Sequence, residues 1–163
     1  MNDQVSDHAH SDTPASQGTG YLIWRVVNLW QKTQKETLAQ FDLTPVQFLL
    51  LSGLAELSPD DAAIKQSTLA QHCRTDAMMT SQVIRSLEKR GLVRRTRHRQ
   101  DRRAVSIVLT EEGGSAVNDA EPAVQAADAK FFAGLGDRAD EFADALTVLT
   151  GERPRRRVRA LGS

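Results

Sequence analysis

Apolar positions run through this chain with two different periods, and each predicts an element. Between residues 21 and 41, Leu22, Val26 and Leu29, with Ile23, Val27 and Trp30 beside them, recur at helical spacing. Both sides of that helix are partly apolar, so more than one partner is expected to cover it. Thr44-Pro45 predicts the start of a second helix, the Thr as N-cap and the Pro at the first helical position. It should run through Val46, Phe48, Leu49, Leu50 and Leu51 to Leu57, and Ser58-Pro59-Asp60-Asp61 reads as a turn. A short helix follows over residues 66–74, with Ser67 as its cap and Leu69, Ala70 and Cys73 on its apolar face. Another begins near Thr75 or Asp76 and runs to Arg90, where Gly91 can take the left-handed conformation that ends a helix. Two short helices joined by a tight turn make a helix-turn-helix.

The period then changes. Val105, Ile107 and Leu109 alternate with Ser106 and Val108, and with residues 93–97 they predict a β-hairpin around a polar, basic loop. Thr110-Glu111-Glu112-Gly113 caps a long Ala-rich helix reaching about Ala133, with a kink or local break expected at Glu121-Pro122. Gly134 and Gly136 separate it from a last helix over residues 137–149. The fold class is therefore mainly α with a small β-hairpin. Residues 1–19 and 151–163 hold few apolar positions and are expected to be tails, the second of them basic.

Composition adds three exclusions. One Cys forbids a disulfide within the chain. No stretch reaches the roughly 20 consecutive apolar residues of a membrane helix, so no membrane partner is expected. The N-terminus lacks a basic start followed by an apolar core, so the expected location is the cytoplasm. The formal net charge is zero, yet the charge is far from even. Residues 85–103 hold eight Arg and one Lys against Glu88 and Asp101, a local charge of +7, whereas residues 111–144 hold nine acids against Lys130 and Arg138, a local charge of −7. A stretch so basic is suited to phosphates, whose condensed counterions it would release.

The segment LAQHCRTDAMMTSQVIRSLEKRGLVRR, followed by DRRAVSIVLTEEG, resembles the MarR (multiple antibiotic resistance regulator) family of winged-helix transcription factors. The resemblance rests on Leu69-Ala70, on Leu87-Glu88-Lys89-Arg90-Gly91-Leu92-Val93, on Asp101-x-Arg103 and on Leu109-Thr110-Glu111-x-Gly113, and the order of flanking helices agrees with it. It implies a homodimer with an intertwined helical dimerisation lobe. Residues 20–44 would be the N-terminal dimerisation helix, 45–110 the winged helix-turn-helix with its wing at 93–109, and 111–150 the C-terminal dimerisation helices.

Steps of about 100° around the second motif helix separate two faces. Met79, Thr80, Val83 and Leu87 should face the core, and Met78, Ser81, Gln82 and Arg85 should face outward, with Thr75 at the helix start. Gln can pair with adenine and Arg with guanine or phosphate, Ser meets several base edges, and Met can touch a thymine methyl. Many family members carry a basic residue where Gln82 stands, so their base preference does not transfer. In the wing, Arg94, Arg95 and Arg97 are expected to meet phosphates, alongside Arg99. The resemblance implies that one Arg at the tip enters the minor groove while Asp101 pairs with another to shape the tip, and Arg102 is expected in the groove and Arg103 in the pair. A dimer would prefer a pseudo-palindromic operator with half-sites one helical turn apart.

The resemblance also implies a small amphipathic or phenolic effector between the lobe and the winged helix, where Trp24, Trp30, Phe48 and Met79 are the candidate lining. Cys73 is a candidate redox site because His72 and Arg74 flank it, although its place on an apolar face favours packing. The four His form no metal-ligand spacing, and no phosphate loop, nucleophile elbow or paired carboxylates appear, so no metal, cofactor or enzymatic activity is expected. The expected function is a transcriptional regulator, a repressor released by an effector. A thiol-responsive regulator, a constitutive architectural DNA-binding protein and a winged-helix protein-interaction module are the alternatives.

Overall fold

The computed structural model describes residues 18–58, 62–97 and 105–153. The expected wing tip, with Arg99, Asp101, Arg102 and Arg103, lies outside the described residues, as do most of the two expected tails. Six helices and three strands follow in the order α1 (Thr19–Leu38), α2 (Pro45–Leu57), β1 (Ile64–Lys65), α3 (Gln66–His72), α4 (Ala77–Lys89), β2 (Val93–Arg97), β3 (Val105–Leu109), α5 (Glu111–Phe132) and α6 (Ala139–Leu149) among the described residues. Short 3-10 turns extend α1 to Phe41 and lead from α5 into α6. The architecture is mostly helical with one small antiparallel sheet, a winged helix carried between flanking long helices.

Local chemistry explains the boundaries. Thr44 and Gln47 form a reciprocal capping box at the start of α2, with Pro45 at the first helical position where its missing N–H costs nothing. Asp76 caps α4 by accepting from the backbone N–H groups of Met78 and Met79 at 2.8 and 2.9 Å. Gly91, at φ 75°, closes that helix. Thr110 caps α5 by accepting from the Gly113 N–H, and its own hydroxyl donates to the Gly91 carbonyl at 2.7 Å, which ties the start of α5 to the turn after α4.

Four expectations are corrected. Lys65, not Ser67, stands at the N-cap of α3, which starts two residues earlier than a Ser67 cap requires because it runs directly on from β1. Arg74 lies beyond that helix in the left-handed region at φ 52° and forms the turn. Pro122 does not break α5, which stays one helix from Glu111 to Phe132, so a local break at Glu121-Pro122 is ruled out; one missing N–H on an exposed face is tolerated. The last helix begins at Ala139, after a 3-10 turn in which Gly136 takes φ 53°.

The strands pair in the order β1-β3-β2. The expected hairpin is present, with Arg95 opposite Ile107 and Val93 opposite Leu109, while Ile64 pairs with Ile107 from the other side. The core is built from Leu50, Leu51 and Leu54 of α2, Leu69 of α3, Ile84 and Leu87 of α4, Leu92, Val93 and Ile107, with Leu38, Leu43, Val117 and Ala120 closing it against α1 and α5. Burying these side chains, at roughly 1.5–3 kcal/mol each, is what holds α4 and the sheet in fixed relation. Ser106 is also buried, which the alternation did not predict, because β1 covers the edge on which it lies.

Candidate functional site

α4 turns Thr80, Ile84 and Leu87 into the core and leaves Met78, Gln82 and Arg85 exposed, with Ser81 half-buried at the edge of that face. The inward face is rotated from the expected one toward Ile84, and this moves Met79 out of the core to 38% exposure. Its N-terminal turn is firmly built. The Thr80 hydroxyl donates to the Asp76 carbonyl at 2.7 Å and lies 2.8 Å from the Thr75 hydroxyl. Thr75 is thus half-buried and engaged in the turn, rather than projecting with the outward face.

The basic residues of the region divide into two groups. Arg85, Lys89, Arg94 and Arg97 are exposed, with no ion pair among the described residues, so they are available to a polyanion. Arg95 is half-buried and held by Glu88, which accepts from both its backbone N–H and its guanidinium. Arg90 is turned back to Asp42 at 3.1 Å and Gln47 at 3.4 Å, bracing α4 against the start of α2. These pairs position the helix and the wing and leave the outward face basic.

A cleft of about 800 Å³ opens between α1, α2, α4 and α5. Trp30, Phe48 and Met79 line it as expected, together with Leu38, Val46, Leu49, Ser52, Thr75 and Val124. Trp24 does not; it is 66% exposed, about one helical turn before Asn28, the first residue of α1 to line the cleft. The sequence reading missed two residues there. The Asp128 carboxylate on α5 accepts through Oδ1 from the Trp30 indole N–H at 2.7 Å and from the Gln34 amide at 2.6 Å, linking α5 to α1 along the cleft wall. Gln34 is 3% exposed, and its side-chain N–H donates to this acid.

Cys73 packs against Gly53 of α2, where a Cβ would come within 2.5 Å of the sulfur, and its thiol points to the Leu49 carbonyl at 3.7 Å. Burial pushes the thiol pKa up, and the neighbouring Glu56 carboxylate adds to the shift. The two flanking side chains are engaged elsewhere, the His72 ring with Glu56 at 3.0 Å and the Arg74 guanidinium with the Thr150 carbonyl at 3.3 Å.

A family comparison matches residues 43–105, from the start of α2 to the beginning of β3, to the MarR family. The chain is 41% identical over 114 residues to the HTH-type transcriptional regulator YdcH of Bacillus subtilis, covering 70% of this chain and 78% of that protein. It is 31% identical over 116 residues to the HTH-type transcriptional repressor Rv2887 of Mycobacterium tuberculosis, covering 71% and 81%. Among solved structures, Bordetella bronchiseptica BpsR, whose DNA binding is regulated by 6-hydroxynicotinic acid, has the same fold with a TM-score of 0.75 at 23% identity over 85% of this chain and 96% of that one.

Proposed function

Because the chain belongs to the MarR family of transcriptional regulators, and not to a family of enzymes, we propose that it works in the cytoplasm as a homodimeric repressor of a pseudo-palindromic operator. α4 enters the major groove and the wing follows the phosphates into the minor groove. The observation that carries the reading is the outward face of α4: Met78, Gln82 and Arg85, with Ser81 at its edge, on a helix whose cap and inner face are fully engaged. Arg94 and Arg97 extend it as phosphate contacts, and the wing-tip residues Arg99, Asp101, Arg102 and Arg103 complete it, Arg102 in the groove and Asp101 paired with Arg103. A dimer is supported by the uncovered apolar side chains of α1, among them Leu22, Trp24, Val26 and Leu29, and of α6, Leu146, Val148 and Leu149. Repression and effector control are supported by the Mycobacterium relative, a repressor, and by BpsR, regulated by a small aromatic acid. The effector binds in the cleft at Trp30, Phe48 and Met79 and acts by preferring a spacing of the two α4 helices that does not fit DNA.

Titration by fluorescence anisotropy on DNA from immediately upstream of the protein's own gene, against scrambled DNA, tests this at several salt concentrations. Specific binding about a thousandfold tighter than scrambled, with a steep salt slope, is expected. Weak, equal binding to both would favour an operator elsewhere or an architectural role. The absence of any salt-dependent binding would move the fold to protein interaction.

A further inference from the structure

Most of the cleft's exposed lining is apolar, but Asn28, Gln31, Ser52 and Thr75 also border it, as do three charged residues: Lys32 and Lys35 of α1, and Asp128 of α5 as its one acid. Asp128 sits on the cleft wall with Oδ1 occupied by the Trp30 and Gln34 donors, and Oδ2 has no hydrogen-bond partner among the described residues. Both donors are neutral, so they orient the carboxylate without cancelling its charge. The cations that reach the cleft, Lys32 and Lys35, are exposed residues of α1, and Lys32 lies 4.0 Å from Glu36. An anionic headgroup placed deep among Trp30, Phe48 and Val124 would meet Asp128 as a like charge in a medium where such repulsion is poorly screened. A protonated amine in the same place would complete the unused half of the carboxylate with a charge-assisted hydrogen bond, and the Trp30 and Phe48 rings lining the cleft would add cation–π attraction.

We propose that the cleft recognises a small aromatic or lipophilic amine, its ammonium group on Asp128 Oδ2 and its apolar body against Trp30, Phe48 and Met79. The proposal rests on the reading of this cleft as the effector site and names the chemical class of its ligand. Asp128 is then the residue that sets specificity by charge, while Gln34 and Trp30 are positioning residues that hold its carboxylate.

Isothermal titration of the full chain at neutral pH with three probes of one shape tests it: 1-naphthylmethylamine, 1-naphthalenemethanol and 1-naphthoic acid. The amine is expected to bind at least about tenfold more tightly than the acid, with the alcohol between them. Asp128→Asn keeps an acceptor for Trp30 and Gln34 but removes the charge, so amine affinity should fall about tenfold and by clearly more than that of the alcohol, while the acid should gain. Binding of the acid as tightly as the amine, or an amine affinity indifferent to Asp128→Asn, would overturn the amine assignment and leave the effector cleft standing. Failure of all three probes to bind would overturn the cleft reading along with the amine. The comparison of probes on the unaltered chain decides the question even if the variant does not fold.

Discussion

The Glu88 carboxylate holds Arg95 twice, accepting from its backbone N–H at 3.3 Å and from its guanidinium at 3.5 Å, and so fastens α4 to the first strand of the wing. Both side chains keep contact with water, so the ion pair alone contributes under about 1 kcal/mol. Its larger effect is on direction. Glu88→Ala is expected to lower stability in urea by about 1 kcal/mol and to weaken binding to operator and scrambled DNA alike, because the wing loses its fixed angle. Arg95→Ala should share the stability loss. Arg94→Ala should leave stability unchanged and reduce the salt slope by about one unit. Equal salt slopes for the two Arg variants would refute this division.

Gln82 and Arg85 lie one turn apart on the exposed side of α4, and their removal should separate base reading from charge. Gln82→Ala is expected to cost about 1–3 kcal/mol on the operator and almost nothing on scrambled DNA. Arg85→Ala should weaken both, with the greater loss on the operator if it reaches guanine. Anisotropy with operators altered one base pair at a time will show which position each side chain reads.

Gly113 allows α5 to pass close to the chain leaving α4. A Cβ there would overlap the Leu92 carbonyl oxygen, which is backbone and cannot swing aside. Gly113→Ala should therefore destabilise by about 1–3 kcal/mol, at the upper end of that range. Gly114 is the control. Its Cβ would find only Leu109 at 4.0 Å, so Gly114→Ala should gain roughly 0.5–1 kcal/mol from helix propensity. Urea midpoints of the two variants should move in opposite directions.

Cys73 is predicted to resist oxidation. With its pKa raised by burial and by Glu56, it stays a thiol at neutral pH, and its alkylation by iodoacetamide should be slower than that of a free cysteine and should rise only at more alkaline pH. Folding favours the thiol over the thiolate. Its contribution to stability is therefore complete below the ordinary thiol range and is lost as pH rises through the shifted value, a slope that Cys73→Ala should remove. Release of operator DNA by dilute peroxide in the parent and not in Cys73→Ala would instead revive the thiol-switch reading.

Elements whose ends are set by local chemistry were legible in the sequence. Thr44, Pro45 and Gln47 announce α2, Asp76 and Gly91 bracket α4, and the alternation from Val105 places β3. The strand β1 was not, since two residues carry no period, and its pairing of Ile64 with Ile107 and of Lys65 with Ser106 depends on chain far along the sequence. Nor was the true inner face of α4. Met79 and Ile84 are both apolar and lie on adjoining sides of the helix, and what packs against it buries Ile84 and leaves Met79 38% exposed. Gln82 and Arg85 were placed outward correctly because they are polar whichever neighbour is inside, whereas the exposure of the apolar Met78 followed only from its angular position on the helix. At the cleft, Trp30, Phe48 and Met79 were found by their size, but Asp128 and Gln34 were not, as an acid on an Ala-rich helix gives no sign that an indole 98 positions earlier will donate to it.

The hydrogen bond from Trp30 to Asp128 also equips the chain with its own optical reporter. Its two indoles sit in contrasting surroundings, Trp24 largely in water and Trp30 half-buried with its N–H on a carboxylate. In a Trp24→Phe variant the remaining emission comes from the wall of the cleft alone. Its wavelength and yield then follow occupancy of the cleft and the α1–α5 contact directly, without a label on either the protein or the DNA.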